Sequence, residues 1–224
     1  MSKFIAGCYE AGRGPVLGSL FISIVVADED AIKKWAKLGV KDSKLLTHPR
    51  RVALAKEIKK TASFYETLKV TPSDIDTSKL NLNELEAAKI AQLINKAKPE
   101  KVIIDCPTVN TTAFAAFLQT MLQYKPLLLA ENYADKNHVV VGAASILSKV
   151  AREDEVEELH KEYGTFGSGY PSDERTINWL KDYYKKHKKF PEIARKKWST
   201  LDAISGIERK TGEKMKQKGL IDYK

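Results

Sequence analysis

Cysteine is nearly missing from this chain: Cys8 and Cys106 are the only two among 224 residues. Neither lies in a metal-type spacing. No disulfide framework and no zinc site is expected, and free intracellular thiols are the default. Long apolar runs are missing too. None reaches the length of a bilayer-crossing helix, so no helical membrane anchor is expected. Met1-Ser2-Lys3-Phe4 passes almost directly into an apolar run. That leaves no room for a cleaved leader, and the expected location is cytoplasmic. There is no internal repeat and no low-complexity tract.

The composition is that of a globular protein, 43% hydrophobic and 30% charged. The length suits one large domain or a domain with a smaller appendage. The formal net charge is +9, unevenly spread: residues 181–224 carry 14 Lys/Arg against 6 Asp/Glu, and residues 1–180 carry 24 against 23. A nearly neutral body with a basic tail suits a polyanionic partner such as nucleic acid. A lysine-rich solvated helix surface would look the same.

The chain is organised around Gly7-Cys8-Tyr9-Glu10-Ala11-Gly12-Arg13-Gly14-Pro15. Phe4-Ile5-Ala6 leads in and Leu20 to Val26 leads out, the pattern of a strand, a tight loop and a returning strand. The loop is expected to hold Glu10 and Arg13 between glycines. Gly12 and Gly14 permit positive φ and close approach, and Arg13 can meet a phosphate with two donors. A plain hairpin turn with two surface charges is the competing reading.

Downstream, the spacing predicts a helix over 28–38, capped by Asp28 and ended by Gly39. A polar connection, Val40-Lys41-Asp42-Ser43-Lys44, leads to a helix over 47–60 with Thr47 as its cap. Residues 62–70 read as a strand that Pro72 breaks. Asn83 and Glu86 have capping-box spacing for the next helix, which Pro99 closes. Short apolar runs at 101–105 and 126–130 alternate with helices over 110–123 and 139–163, implying parallel strands with crossover helices. Joined to the antiparallel hairpin, they form a mixed five-stranded sheet flanked by helices, an α/β fold. The Gly-rich stretch 164–173 marks the place for a boundary. It divides a sheet domain, 1–165, from a basic helical C-terminal region, 166–224, with helices near 173–188, 191–195 and 200–217.

Parallel sheets build sites at the carboxyl ends of their strands. Glu10, Asp105 and Asp135 each fall at or just past such an end. Three carboxylates brought together repel one another unless a cation joins them. Hard oxygen ligands with no His or Cys cluster favour Mg²⁺ or Mn²⁺ over Zn²⁺. Two such ions can activate a water and stabilise the leaving oxygen in phosphodiester hydrolysis. For any single Asp, a helix cap is the competing reading.

These residues resemble the ribonuclease HII family, the type 2 ribonucleases H. Ile5 to Pro15 is similar to the family signature, and further blocks agree in family order. They are Lys41-Asp42-Ser43-Lys44; Asp105; Ala134-Asp135 with Val141 to Lys149; Gly167 to Asp173; and Pro191 to Thr200 with Arg195 and Trp198. The resemblance implies a ribonuclease H-like fold and metal-dependent cleavage of the RNA strand of RNA–DNA hybrids. It also implies incision 5′ of ribonucleotides embedded in duplex DNA. It makes Glu10, Asp105 and Asp135 metal ligands, of two ions in the family pattern, and gives Gly12-Arg13-Gly14 the ribose 2′-hydroxyl. It places Tyr170 on the sugar after the ribonucleotide. Ser43, Lys44 and Lys149 become candidate phosphate or site contacts, and the helices after 180 grip the duplex. A monomer is expected.

One position departs from the pattern. The family places an aspartate immediately before the glutamate, bridging both metals, and this chain has Tyr9. A phenol is neutral at pH 7 and offers one oxygen. Weakened metal binding with persistent fold and duplex binding is therefore expected, unless a neighbour such as Glu131 substitutes. Asn132-Tyr133, His138-Val139 and Ser19 also differ from common family residues. A non-catalytic binder of RNA–DNA junctions is the alternative function.

Overall fold

The structure, a computed structural model, describes residues 4–40 and 46–206. Ser43, Lys44 and most of the expected last helix lie outside the described residues. Strand β1 (Ile5–Ala11) pairs antiparallel with β2 (Leu20–Ala27), and β2 pairs antiparallel with β3 (Phe64–Val70). On the other side of β1, strands β4 (Lys101–Asp105) and β5 (Leu127–Glu131) add in parallel. The order is β3-β2-β1-β4-β5, a mixed sheet as expected. The helices are α1 (Glu29–Lys37), α2 (His48–Thr61), α3 (Pro72–Thr77), α4 (Leu82–Ala97) and α5 (Thr111–Thr120). They continue with α6 (Ala134–Asn137), α7 (Val139–Tyr163), α8 (Glu174–His187) and α9 (Ser199–Ser205).

The period-two alternation of the strands builds two cores. Ala6, Cys8, Ile22, Ile24, Val102 and Ile104 pack with Leu85, Ile90 and Phe114 of α4 and α5. Tyr9, Ala11, Val25 and Ile103 pack on the other face with Trp35, Ile58, Val141 and Ala144. A third cluster, Val16, Leu17, Phe166, Leu180, Ala194 and Leu201, joins the β1–β2 loop to the C-terminal region.

Four expectations are corrected. The first strand runs on to Ala11, because Glu10 and Ala11 still pair with Ile22 and Phe21; Tyr9 and Glu10 are strand residues, and the loop begins at Gly12. The capping box of α4 is Asn81 with Glu84, not Asn83 with Glu86. Pro72 opens a short helix instead of merely breaking the strand, with Thr71 and Asp74 as its capping box. Residues 191–195 form a turn and a bridge from Ala194 to Leu17, not a helix. The expected helix at 110–123 is shorter, and α6 has no counterpart in the sequence reading. Asp28 caps α1 through the Ala31 amide as expected. Thr47 occupies the cap position of α2 but makes no side-chain cap bond.

Helix α7 lies directly on β1. At Gly7 an added Cβ would stand 2.4 Å from the backbone carbon and oxygen of Val140. Main chain cannot swing aside as a side-chain tip can, so Gly7→Ala must push α7 off the sheet. Overpacking of this kind costs on the order of 2–3 kcal/mol. Chemical denaturation of the Gly7→Ala protein is expected to show that loss, and an unchanged midpoint would contradict the contact.

Candidate active site

The acidic residues sit at the ends of β1 and β4 and in the short helix that follows β5. Glu10 is the penultimate residue of β1, and Asp105 is the last of β4. Asp105 accepts a 2.7 Å hydrogen bond from the Ala134 amide through Oδ1, which seats the first turn of α6 and the buried Asp135 beside it. The turn into α6 is made by Tyr133 in the left-handed region, φ 60°. Asn132 ties this turn to the β4 exit, donating through Nδ2 to the carbonyls of Cys106 at 3.0 Å and Thr108 at 2.8 Å.

The charge is not neutralised within this group. Burial raises the pKa of Glu10 well above the usual range, helped by the charges of Glu86 and Asp105 and opposed by Arg13. Glu10 Oε2 and Asp135 Oδ2 are buried and have no hydrogen-bond partner among the described residues. Buried carboxylate oxygens without donors suit a hard cation, so the donor chemistry fits Mg²⁺ or Mn²⁺. Among the described residues, no three His, Cys, Asp or Glu side chains are already gathered into a metal-binding group. A cation would have to draw the carboxylates in. Glu131 is not poised to substitute: Asn137 bonds one of its oxygens, and His138 Nε2 lies 2.7 Å from the other.

Tyr9 fills the position beside Glu10. It is 8% exposed, packed among the residues that face α7. Burial, then the charges of Asp135, Glu10 and Asp105, push its phenol further up, with a hydrogen bond to Ser145 acting the other way. The phenol is therefore neutral at pH 7. The Lys149 ammonium lies over its ring, 5.1 Å from the centroid, within range of a cation–π contact.

A groove of about 590 Å³ opens at this point. Among its lining residues are Tyr9, Glu10, Gly12, Arg13, Gly14, Lys149 and Tyr170, so seven residues singled out in the sequence share one surface. Asp105 and Asp135 lie outside the lining residues. The Arg13 side chain does not serve as a free phosphate fork. Its guanidinium donates to the buried Glu86 and to Asn83 Oδ1. Asn83 and Glu86 lie inside α4 and hold Arg13, while Asn81 and Glu84 cap the helix.

Three structural roles escape the sequence reading. Arg152 lines the groove, donates to the Ser168 carbonyl at 2.9 Å and lies 5.1 Å from the Tyr170 ring centroid. Gly12, at φ 84°, makes room for it, since a Cβ there would meet Arg152 Cδ at 2.8 Å. Arg195 is fully buried and donates to the carbonyls of Gly12, Arg13 and Gly18. Burial, with nearby Arg152, lowers its pKa to about 9, still charged at pH 7. The Tyr170 loop is held by Asp173, which accepts from the Ser168 amide at 2.8 Å and the Arg175 side chain at 2.9 and 3.0 Å. These bonds hold Asp173 below the usual carboxylate range.

A family model described as Ribonuclease HII matches residues 6–201. Ribonuclease HII of Pyrococcus furiosus is 46% identical over 202 residues, covering 89% of this chain and 90% of that one. The Pyrococcus abyssi protein is 47% identical over the same shares. The crystal structure of ribonuclease H2 from Pyrococcus horikoshii OT3 superimposes with a TM-score of 0.86 at 43% identity, over 91% of this chain and 97% of that one. A ribonuclease HII in complex with PCNA, from Archaeoglobus fulgidus, gives 0.81 at 37% identity, over 93% and 99%. With that coverage and the same fold, the chain belongs to the ribonuclease HII family.

Proposed function

We propose that this chain recognises RNA–DNA hybrids and ribonucleotide-containing duplex DNA. It cuts the RNA strand, or the strand 5′ of an embedded ribonucleotide, at a rate that Tyr9 holds down. The observation that carries the reading is the pair of buried oxygens of Glu10 and Asp135, without a partner among the described residues, beside the Gly12-Arg13-Gly14 groove. Glu10, Asp105 and Asp135 would hold Mg²⁺ or Mn²⁺, two ions in the family pattern. When bound, such ions supply Lewis acidity to phosphodiester hydrolysis. In that reaction a water oxygen joins phosphorus as the bond to the 3′ oxygen breaks, leaving a 3′-hydroxyl and a 5′-phosphate.

The remaining residues bind and orient. The Gly12-Arg13-Gly14 segment reads the ribose 2′-hydroxyl, the group that separates RNA from DNA. Tyr170, 38% exposed on the groove, packs on the sugar after the ribonucleotide. Lys149, with Ser43 and Lys44, contacts phosphate, and the lysines of α8 and beyond grip the backbone in a salt-sensitive way. The C-terminal region 166–224 serves the sheet domain as this grip, in a cytoplasmic monomer. A second reading, a binder that does not cut, is favoured by Tyr9 itself. Its neutral phenol lies under the Lys149 ammonium where the family has a carboxylate.

Removing groups that only orient metal ligands costs 10–100-fold in metal affinity or activity, so a missing direct ligand should cost at least as much. Tyr9→Asp is expected to cut a duplex carrying one ribonucleotide on the order of 10²-fold faster than the chain as it stands. Gel analysis of 5′ incision in Mg²⁺ or Mn²⁺ checks this, and equal rates would overturn the role given to Tyr9.

The Asp173 contacts give a pH dependence. A carboxylate whose folded pKa is depressed stabilises above its unfolded value, about 4, and loses that contribution as pH falls through the folded value. The Tyr170 loop is therefore expected to loosen below about pH 4. Asp173→Asn should show the loosened loop already at neutral pH, with weaker duplex binding. Amide hydrogen exchange of residues 167–173 reads both; equal protection in the two proteins at pH 7 would refute the anchor.

A further inference from the structure

The segment Gly12-Arg13-Gly14 is held from behind. Arg195 Nη2 donates to the Gly12 carbonyl at 2.6 Å, and Nη1 to the Arg13 carbonyl at 2.8 Å. Trp198 Nε1 donates to the Gly14 carbonyl at 3.3 Å, and the Arg195 guanidinium lies over the Trp198 ring, 4.9 Å from its centroid. The Arg13 side chain is drawn in by Glu86 and Asn83. The clamp is itself fixed, because the Arg195 amide donates to the Val16 carbonyl and Gly18 donates to the Ile193 carbonyl. Arg195 is fully buried and lies outside the residues that line the groove, whereas Gly12, Arg13 and Gly14 line it.

A trans peptide points its carbonyl and its amide in opposite directions, and no cis peptide occurs among the described residues. Pulling the Gly12 carbonyl toward Arg195 turns the Arg13 amide away from it. Pulling the Arg13 carbonyl turns the Gly14 amide away as well. The left-handed backbone of Gly12, φ 84°, is the conformation that lets successive amides converge into a nest. Neither amide donates to any group among the described residues.

We propose that Arg195 is a positioning residue for substrate selection. By gripping two consecutive carbonyls it presents the Arg13 and Gly14 amides to the groove as a paired donor for one oxygen of the nucleic-acid strand. The guanidinium never touches the substrate. This rests on the reading above that the segment senses the ribose 2′-hydroxyl, and it names what sets the segment's geometry. Lysine cannot substitute, because an ammonium lacks the planar fork that spans two carbonyls and Gly18.

The test compares affinity for two DNA duplexes that differ by one 2′-hydroxyl, by fluorescence anisotropy in EDTA, for the chain and for Arg195→Lys. Losing the neutral hydrogen bonding of the two amides to the 2′-hydroxyl is worth about one decade of discrimination. The preference for the ribonucleotide duplex is expected to fall about tenfold in Arg195→Lys. The slope of affinity against salt should stay the same, since no phosphate contact is lost. In parallel, the ¹⁵N-labelled original chain is titrated with each duplex. The Arg13 and Gly14 amide resonances are expected to shift with the ribonucleotide duplex and to stay in place with the all-DNA one. This arm stands even where Arg195→Lys fails to fold. A preference kept in folded Arg195→Lys, or amides that respond equally to both duplexes, would overturn the proposal. No preference in the original chain would overturn the underlying reading of the segment itself.

Discussion

The contact on which the site depends is the bare backbone approach of α7 to β1 at Gly7 and Val140. Any side chain at Gly7 would stand where the Val140 carbonyl stands. With that separation fixed, the remainder of α7 delivers its residues to the end of β1. Ser145 reaches the Tyr9 hydroxyl, Lys149 covers the Tyr9 ring, and Arg152 enters the space left by Gly12. Farther along the helix, the buried Glu155 accepts from the Ser19 amide and hydroxyl as the chain returns into β2. One helix thus braces the strand end, the loop and the returning strand together.

The same end of the sheet concentrates negative charge under conditions that do not favour it. Glu10 is partly buried, with its Oε2 fully so, near Glu86 and Asp105, and Arg13 answers only part of that charge because Glu86 engages it directly. A buried ion pair of this kind is costly to break, since the survivor is left uncompensated. Arg13 is thereby committed to structure. Tyr9 adds bulk and a neutral oxygen where charge-binding chemistry would call for another carboxylate. On the function proposed above, the chain would combine the groove of Gly12, Arg13, Gly14 and Tyr170 with a cation site short of one anionic ligand.

Much of this was legible in the sequence, and the exceptions have physical causes. The sheet, the long α7 and the places of Glu10 and Asp105 at the ends of β1 and β4 follow from apolar periodicity and from where each run stops. The capping box of α4 was misplaced by two residues because Asn81-x-x-Glu84 and Asn83-x-x-Glu86 carry the same local signal. What separates them is Arg13, some seventy residues away, which takes the second pair for itself. Helix α6 has four residues, too few for a helical period to show. Residues 191–195 look helical locally, but Ala194 pairs with Leu17, a partner that no local pattern names. Arg195 belonged to a recognisable block, yet its three carbonyl partners lie on the far side of the chain and only the fold brings them within reach.

The central claim is that Glu10, Asp105 and Asp135 form one cation site that Tyr9 leaves incomplete. Mn²⁺ titration followed by electron paramagnetic resonance tests it without reference to cleavage. The chain as it stands is expected to bind weakly, Asp135→Asn to bind more weakly still, and Tyr9→Asp to bind at least tenfold more tightly. Equal Mn²⁺ affinity in all three proteins would contradict the account, because the ion would then be held by residues other than those at the strand ends.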